Sequence, residues 1–376
     1  MKEIPFYVPQ INKEEKKLID EVLSLEGESK IDQLEEAFAK YIGCKFAVST
    51  SSWTAAMHLS MFALDLKRGD KILCSVNAFP TVAESVRHFD AEPIFVDIDA
   101  NSLNISPDKL KEALVKHKHK KLKGVIVSHV AGRSAELDEI YKIAKENGIK
   151  VIEDCSTALG ATYKGKKIGS MGGTISTFGF SPQMSKAIGN TGILATNDES
   201  LYERAKLIRN HALVSEKWDK FGNIGYVYDV IDIGLKYGTS ELDAAYSIAQ
   251  LRKNDHFIRR KREIADIYDK ELANVAHITL PERTSEHIYN LYIIKIDKNR
   301  DDFARALRSK GVYTALHYVP LHLLTYYKQK YSLRVNDFPV ALTNYQQILS
   351  IPNYPSMSDQ DVLYVCDQIR TIAQNR

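Results

Sequence analysis

The stretch KILCSVNAFPTVAESVRHFDAEPIFVDID, Lys71 to Asp99, decides the architecture. KILCSV is an apolar run of strand length. It gives way to FPTVAESVRHF, whose apolar positions recur at helical spacing, and PIFVDID follows as a second apolar run. Strand and helix alternation of this kind argues for an α/β domain with a mostly parallel sheet.

The same rhythm extends outward in both directions. Upstream, IDQLEEAFAKYIG reads as a helix with Gly43 as its C-cap, KFAVSTSS as a strand breaking into a polar turn, and TAAMHLSMFALDL as a helix starting on that turn. Downstream come SPDKLKEALVKH (helix), GVIVSHV (strand), ELDEIYKIAKENG (helix) and KVIEDC (strand). The apolar runs are nearly continuous, which suits strands covered on both faces. Ligands of such sheets sit at the carboxyl ends of strands, here Ser49 to Trp53, Asn77 to Phe79, His129 to Gly132 and Asp154 to Thr157. Past the helical ELDAAYSIAQLRKNDHFIRRKREIADIYDKEL, one long helix or two abutting ones, the texture changes to a smaller α+β unit with its own sheet. The expected boundary lies near Leu251, giving a large domain over 1–250 and a small one over 251–376.

At 376 residues, 44% hydrophobic and 26% charged, the composition excludes disorder, fibres and disulfide scaffolds. A net charge of +3 gives no nucleic-acid footprint. The locally basic Lys109 to Lys123 reads as a solvated helix face plus turn. Cys44, Cys74, Cys155 and Cys366 lack metal-ligand spacing, and no run reaches membrane-spanning length. The expectation is a cytoplasmic protein with reduced thiols, no metal, no nucleic acid and no membrane partner.

Asp154 ends a strand. Taken alone, such an aspartate caps a helix or bonds loop amides. The alternative is a partner for the pyridine nitrogen of pyridoxal phosphate, which a carboxylate keeps protonated so that the ring can accept electrons. IEDCSTALGATYKGKKIGSMG, Ile152 to Gly172, resembles the corresponding segment of DegT-type sugar aminotransferases, pyridoxal-phosphate enzymes of fold type I. The similarity runs through Thr50 to Asp99, Glu241 to Leu272, VYTALHYVPLHLLTYY and ILSIPNYPSMSDQDV, nearly the whole chain.

The resemblance implies a three-layer α/β/α large domain with a smaller C-terminal α+β domain. It implies amino transfer from an amino acid donor to a nucleotide-linked keto sugar, in aminosugar or surface-polysaccharide synthesis. It also implies a homodimer with active sites at the subunit interface. Asp154 would face the ring nitrogen, Phe79 would stack on the ring, and Thr54 would bind phosphate from a helix N-terminus. His317, Tyr318 and His322 would face substrate. Without the resemblance, Phe79 is a core aromatic, Thr54 an ordinary first-turn residue, and the histidines partly buried polar groups.

The departures fall together. In FGFSPQMSKAIGNTG, Phe178 to Gly192, the slot for the cofactor-binding lysine holds Met184, and Lys186 sits two residues later. A thioether neither links the cofactor nor moves a proton. The phosphate-binding serine falls on Gly179, and the small residue before Thr54 is Trp53. The residue that reaches the phosphate from a neighbouring subunit falls on Gly238. The residue after the aspartate that is His or Gln in the family is Thr157, and the acid of the glycine element is Asn190. Three readings stay open: an aminotransferase using pyridoxal phosphate; a lysine-free catalyst, either a pyridoxamine-phosphate dehydratase or a cofactor-free sugar-nucleotide enzyme; and a non-catalytic nucleotide-sugar-binding homologue.

Overall fold

The computed structural model describes residues 2–25, 27–117, 120–180, 189–214 and 228–375. Seven strands form the central sheet: β1 (Phe46–Thr50), β2 (Lys71–Ser75), β3 (Glu92–Val96), β4 (Leu122–Ser128), β5 (Lys150–Asp154), β6 (Ile175–Gly179) and β7 (Gly192–Thr196), in the order β1-β7-β6-β5-β4-β2-β3. From β6 to β3 neighbours run parallel, whereas β7 is antiparallel to both β1 and β6. The continuous apolar runs are explained by burial: Ile72, Leu73, Cys74, Val125, Ile126 and Val127 are all shut off from solvent.

Helices cover both faces. The helix α1 (Lys13–Leu23) is followed by α2 (Lys30–Ile42), which ends on Gly43 in the left-handed region that glycine adopts without strain (φ 86°). Helix α3 (Trp53–Ala63) is capped by the Ser52 hydroxyl, which accepts from Ala55 N–H. Helix α4 (Thr81–Arg87) crosses between β2 and β3, and α5 (Pro107–His117) and α6 (Leu137–Asn147) flank β4. Within the basic stretch, Lys109 pairs with Glu112 and Lys111 with Glu139, as a solvated helix face does.

After α7 (Glu199–Arg209), one uninterrupted helix, α8 (Glu241–Leu272), runs 32 residues straight past Leu251. Its first half packs Ala244, Ala245, Ile248 and Leu251 into the core beside β7, and its second half sends Ile264, Tyr268 and Leu272 into a separate core. That second core lies against a three-stranded antiparallel sheet of β8 (Ile278–Thr279), β9 (Tyr292–Ile296) and β10 (Ile348–Ile351). The N-terminal segment crosses to it as well, with Ile4 bridging Val312. No helix among the described residues is long and apolar enough to cross a membrane.

Candidate active site

The strand ends open into a cleft of about 640 Å³ whose walls come from distant parts of the chain: Trp53 and Thr54 on α3, Phe79 after β2, Ser156 after β5, Gly179 at the end of β6, and Leu316 to Tyr318. Phe79 is 50% exposed, a costly position for an aromatic ring left open among the described residues. Its centroid lies 6.4 Å from that of Trp53 and 6.2 Å from that of Tyr318, so three rings share one wall. Tyr318 is held from the other unit, its N–H donating to Asn77 Oδ1 (3.2 Å).

Asp154 sits behind this wall. Its Oδ2 accepts from Ser128 Oγ (2.8 Å), and its Oδ1 accepts from the N–H of Ser156, a cleft residue (3.0 Å). Burial pushes its carboxyl above the ordinary range, against the opposing pull of hydrogen bonds from those two serines. Ser128 went unnoticed in the sequence. The signal available was register, because Ser128 is the residue paired with Asp154 across the parallel ladder.

His129 turns the other way. Its Nδ1 accepts from Ala135 N–H (3.1 Å), so the proton is on Nε2, which donates to the buried Glu153 (3.0 Å). Glu153 also accepts from Tyr141 Oη (2.7 Å). Glu153, Cys155 and His129 are close enough to share an ion, but both imidazole nitrogens are committed and burial raises the Cys155 thiol. The trio is a satisfied polar core.

The remaining expected residues divide. Thr54 is exposed at the cleft with its Oγ1 3.1 Å from Thr81 Oγ1, and His317 lines the cleft while its Nδ1 meets Ser350 Oγ (2.8 Å). Burial holds His317 down to about 4, so it is neutral at physiological pH. Thr157 is buried, donates to His129 carbonyl (2.9 Å) and lines a smaller adjoining cavity with Lys261. His322 is fully buried and donates from Nε2 to Val335 carbonyl (3.0 Å), away from the cleft lining. Gly238 is exposed with no atom within 4 Å of where a Cβ would stand. Asn190 lines the cleft, whereas Met184 and Lys186 lie outside the described residues.

The ring of a pyridine cofactor fits what is present: a buried acid at the strand end and an open aromatic face. Its phosphate fits less well. The amides of Trp53 and Thr54 project from the first turn of α3, where helix donors have no partner of their own. Gly179 and Gly238, however, bring no side chain, and the Trp53 indole reaches from α3 to β6, its Nε1 donating to Thr177 Oγ1 (3.2 Å).

The chain's similarities agree with this geometry. It is 33% identical to the spore coat polysaccharide biosynthesis protein SpsC of Bacillus subtilis, over 99% of this chain and 97% of that one. It is 30% identical to the GDP-perosamine synthase of Escherichia coli O157:H7, over 98% of each. The putative sugar aminotransferase Spr1654 of Streptococcus pneumoniae, solved in its PMP-form, superposes with a TM-score of 0.91 over 99% of each chain at 22% identity, a likeness of fold alone. The profile of the DegT/DnrJ/EryC1/StrS aminotransferases matches residues 9–370, taking in the strand-end acid, the aromatic wall and the small C-terminal unit together. The chain belongs to that family.

Proposed function

We propose that the chain holds a nucleotide-linked sugar in the aromatic cleft and passes to its keto carbon an amino group from an amino acid donor, with pyridoxal phosphate or pyridoxamine phosphate. The observation that carries this reading is Asp154, a buried carboxylate kept at the strand end by Ser128 and Ser156 beside the open ring of Phe79. The cofactor, when bound, supplies an electron sink. Asp154 holds the proton on the ring nitrogen, Phe79 covers one ring face, and Tyr318 and His317 close the sugar side. We further propose a homodimer, and a role in aminosugar or surface-polysaccharide synthesis.

Calorimetric titration with nucleotide-linked keto sugars and with pyridoxamine phosphate tests the reading. Saturable binding of both, with amino transfer from glutamate lost in Asp154→Ala, is the expected result. Sugar binding that survives with no cofactor binding refutes amino transfer. It would favour the second reading, a homologue that binds or converts nucleotide sugars without this cofactor. The observation on that side is Trp53, standing where the phosphate contacts of the family are expected.

A further inference from the structure

Trp53 and Gly179 are not two separate oddities. A Cβ added at Gly179 would lie 3.0 Å from Trp53 Cβ and 3.7 Å from its Cγ. The nearer atom is fixed to the first residue of α3 and cannot swing aside as the tip of a long side chain would. A side chain at 179 is therefore opposed by any residue at 53 that carries a Cβ, across the gap between α3 and the end of β6. In this chain the indole holds that space and is pinned there by its bond to Thr177 Oγ1 (3.2 Å).

We propose that Trp53 and Gly179 are a size-exchanged pair that replaces phosphate recognition with an aromatic wall, so that the cleft takes a planar heteroaromatic ring by its faces and hardly reads a phosphate ester attached to it. The wall is physical: Trp53, Phe79 and Tyr318 have neighbouring centroids 6.4 and 6.2 Å apart, tilted by 53° and 62°. Aromatic faces attract ring faces without needing a charged partner. Phosphate affinity, by contrast, is built from several charge-assisted bonds; the first-turn amides of α3 and the Thr54 hydroxyl can supply some, but positions 179 and 238 add no side chain to them. The inference rests on the cleft being the ligand site, and not on amino transfer taking place there.

The test compares pyridoxamine with pyridoxamine phosphate, which lack the aldehyde that would label surface lysines. Calorimetry is run on the full-length protein, on W53G, on G179S and on W53G/G179S. In the wild type both ligands bind, within about tenfold of each other, whereas W53G/G179S prefers the phosphorylated one by roughly tenfold to a hundredfold, as a regained charge-assisted bond provides. A wild-type preference of more than about tenfold for the phosphorylated ligand, or binding of neither, overturns the proposal. So does the failure of every variant to gain phosphate preference.

Thermal denaturation gives an independent reading that needs no ligand. G179S should lower Tm by about 1–2 °C in the wild type and not in the W53G background, because the tight contact is to the Cβ at 53, which only glycine removes. An equal drop in both backgrounds contradicts the exchange. Loss of nucleotide-sugar binding would refute the proposed function while leaving this cycle intact.

Discussion

Asp154 penalises the fold in a pH-dependent way. Its folded pKa is raised by burial, so between the unfolded and folded values the native state carries the extra proton, and stability falls as pH rises through that window. Asp154→Asn keeps both hydrogen bonds, accepting from Ser156 N–H and donating to Ser128 Oγ, without the charge. Its Tm should exceed the wild type's near pH 7, with the difference shrinking toward pH 4. Parallel melting curves at both pH values check this, and a constant offset would count against it. Asp154 was legible in the sequence because a carboxylate ending a buried strand needs a reason. Its keeper Ser128 was not, since a serine is ordinary until strand register makes it a neighbour. His322 shows the converse: the resemblance put it against substrate, but contacts from Val335 and Phe338, invisible in a linear reading, hold it in a core.

At the scale of elements, the apolar runs from KFAVST to KVIEDC marked the strands because each is buried on both faces, and Gly43 marked a helix end. Strand order and the reversal of β7 were not legible, because direction depends on how the chain returns. The reversal has a local requirement. A Cβ at Gly192, the first residue of β7, would fall 2.1 Å from Ser52 carbonyl oxygen and 2.6 Å from Trp53 N. Gly192→Ala must therefore push β7 off the start of α3, destabilising by about 1–3 kcal/mol as overpacking does. Ser52→Ala removes only the cap and should cost about 1 kcal/mol. Urea titrations compare the two, and a Gly192→Ala variant no less stable than the cap mutant would refute the wedge.

The two units are tied together by residues 2–7, a segment outside the strand and helix rhythm read from the sequence. Ile4 exchanges backbone bonds with Gly311 (2.8 Å) and Tyr313 (3.0 Å), Lys2 pairs with Asp361 (2.7 Å), and Phe6 stacks on His317 with centroids 5.7 Å apart. Ile4 and Phe6 are buried, so deleting residues 2–7 removes on the order of 3–6 kcal/mol of apolar burial. The truncated protein should melt well below the full chain and expose His317, whose pKa should rise toward its ordinary value in a proton NMR titration. An unchanged melting point would show the tie to be ornamental. There is also a consequence for synthesis. Ile4 leaves the ribosome more than 300 residues ahead of Val312, its bridge partner. At ordinary elongation rates it waits roughly 15–60 s for somewhere to dock. Residues made early are thus placed late, and until Val312 emerges the small unit has an open seam.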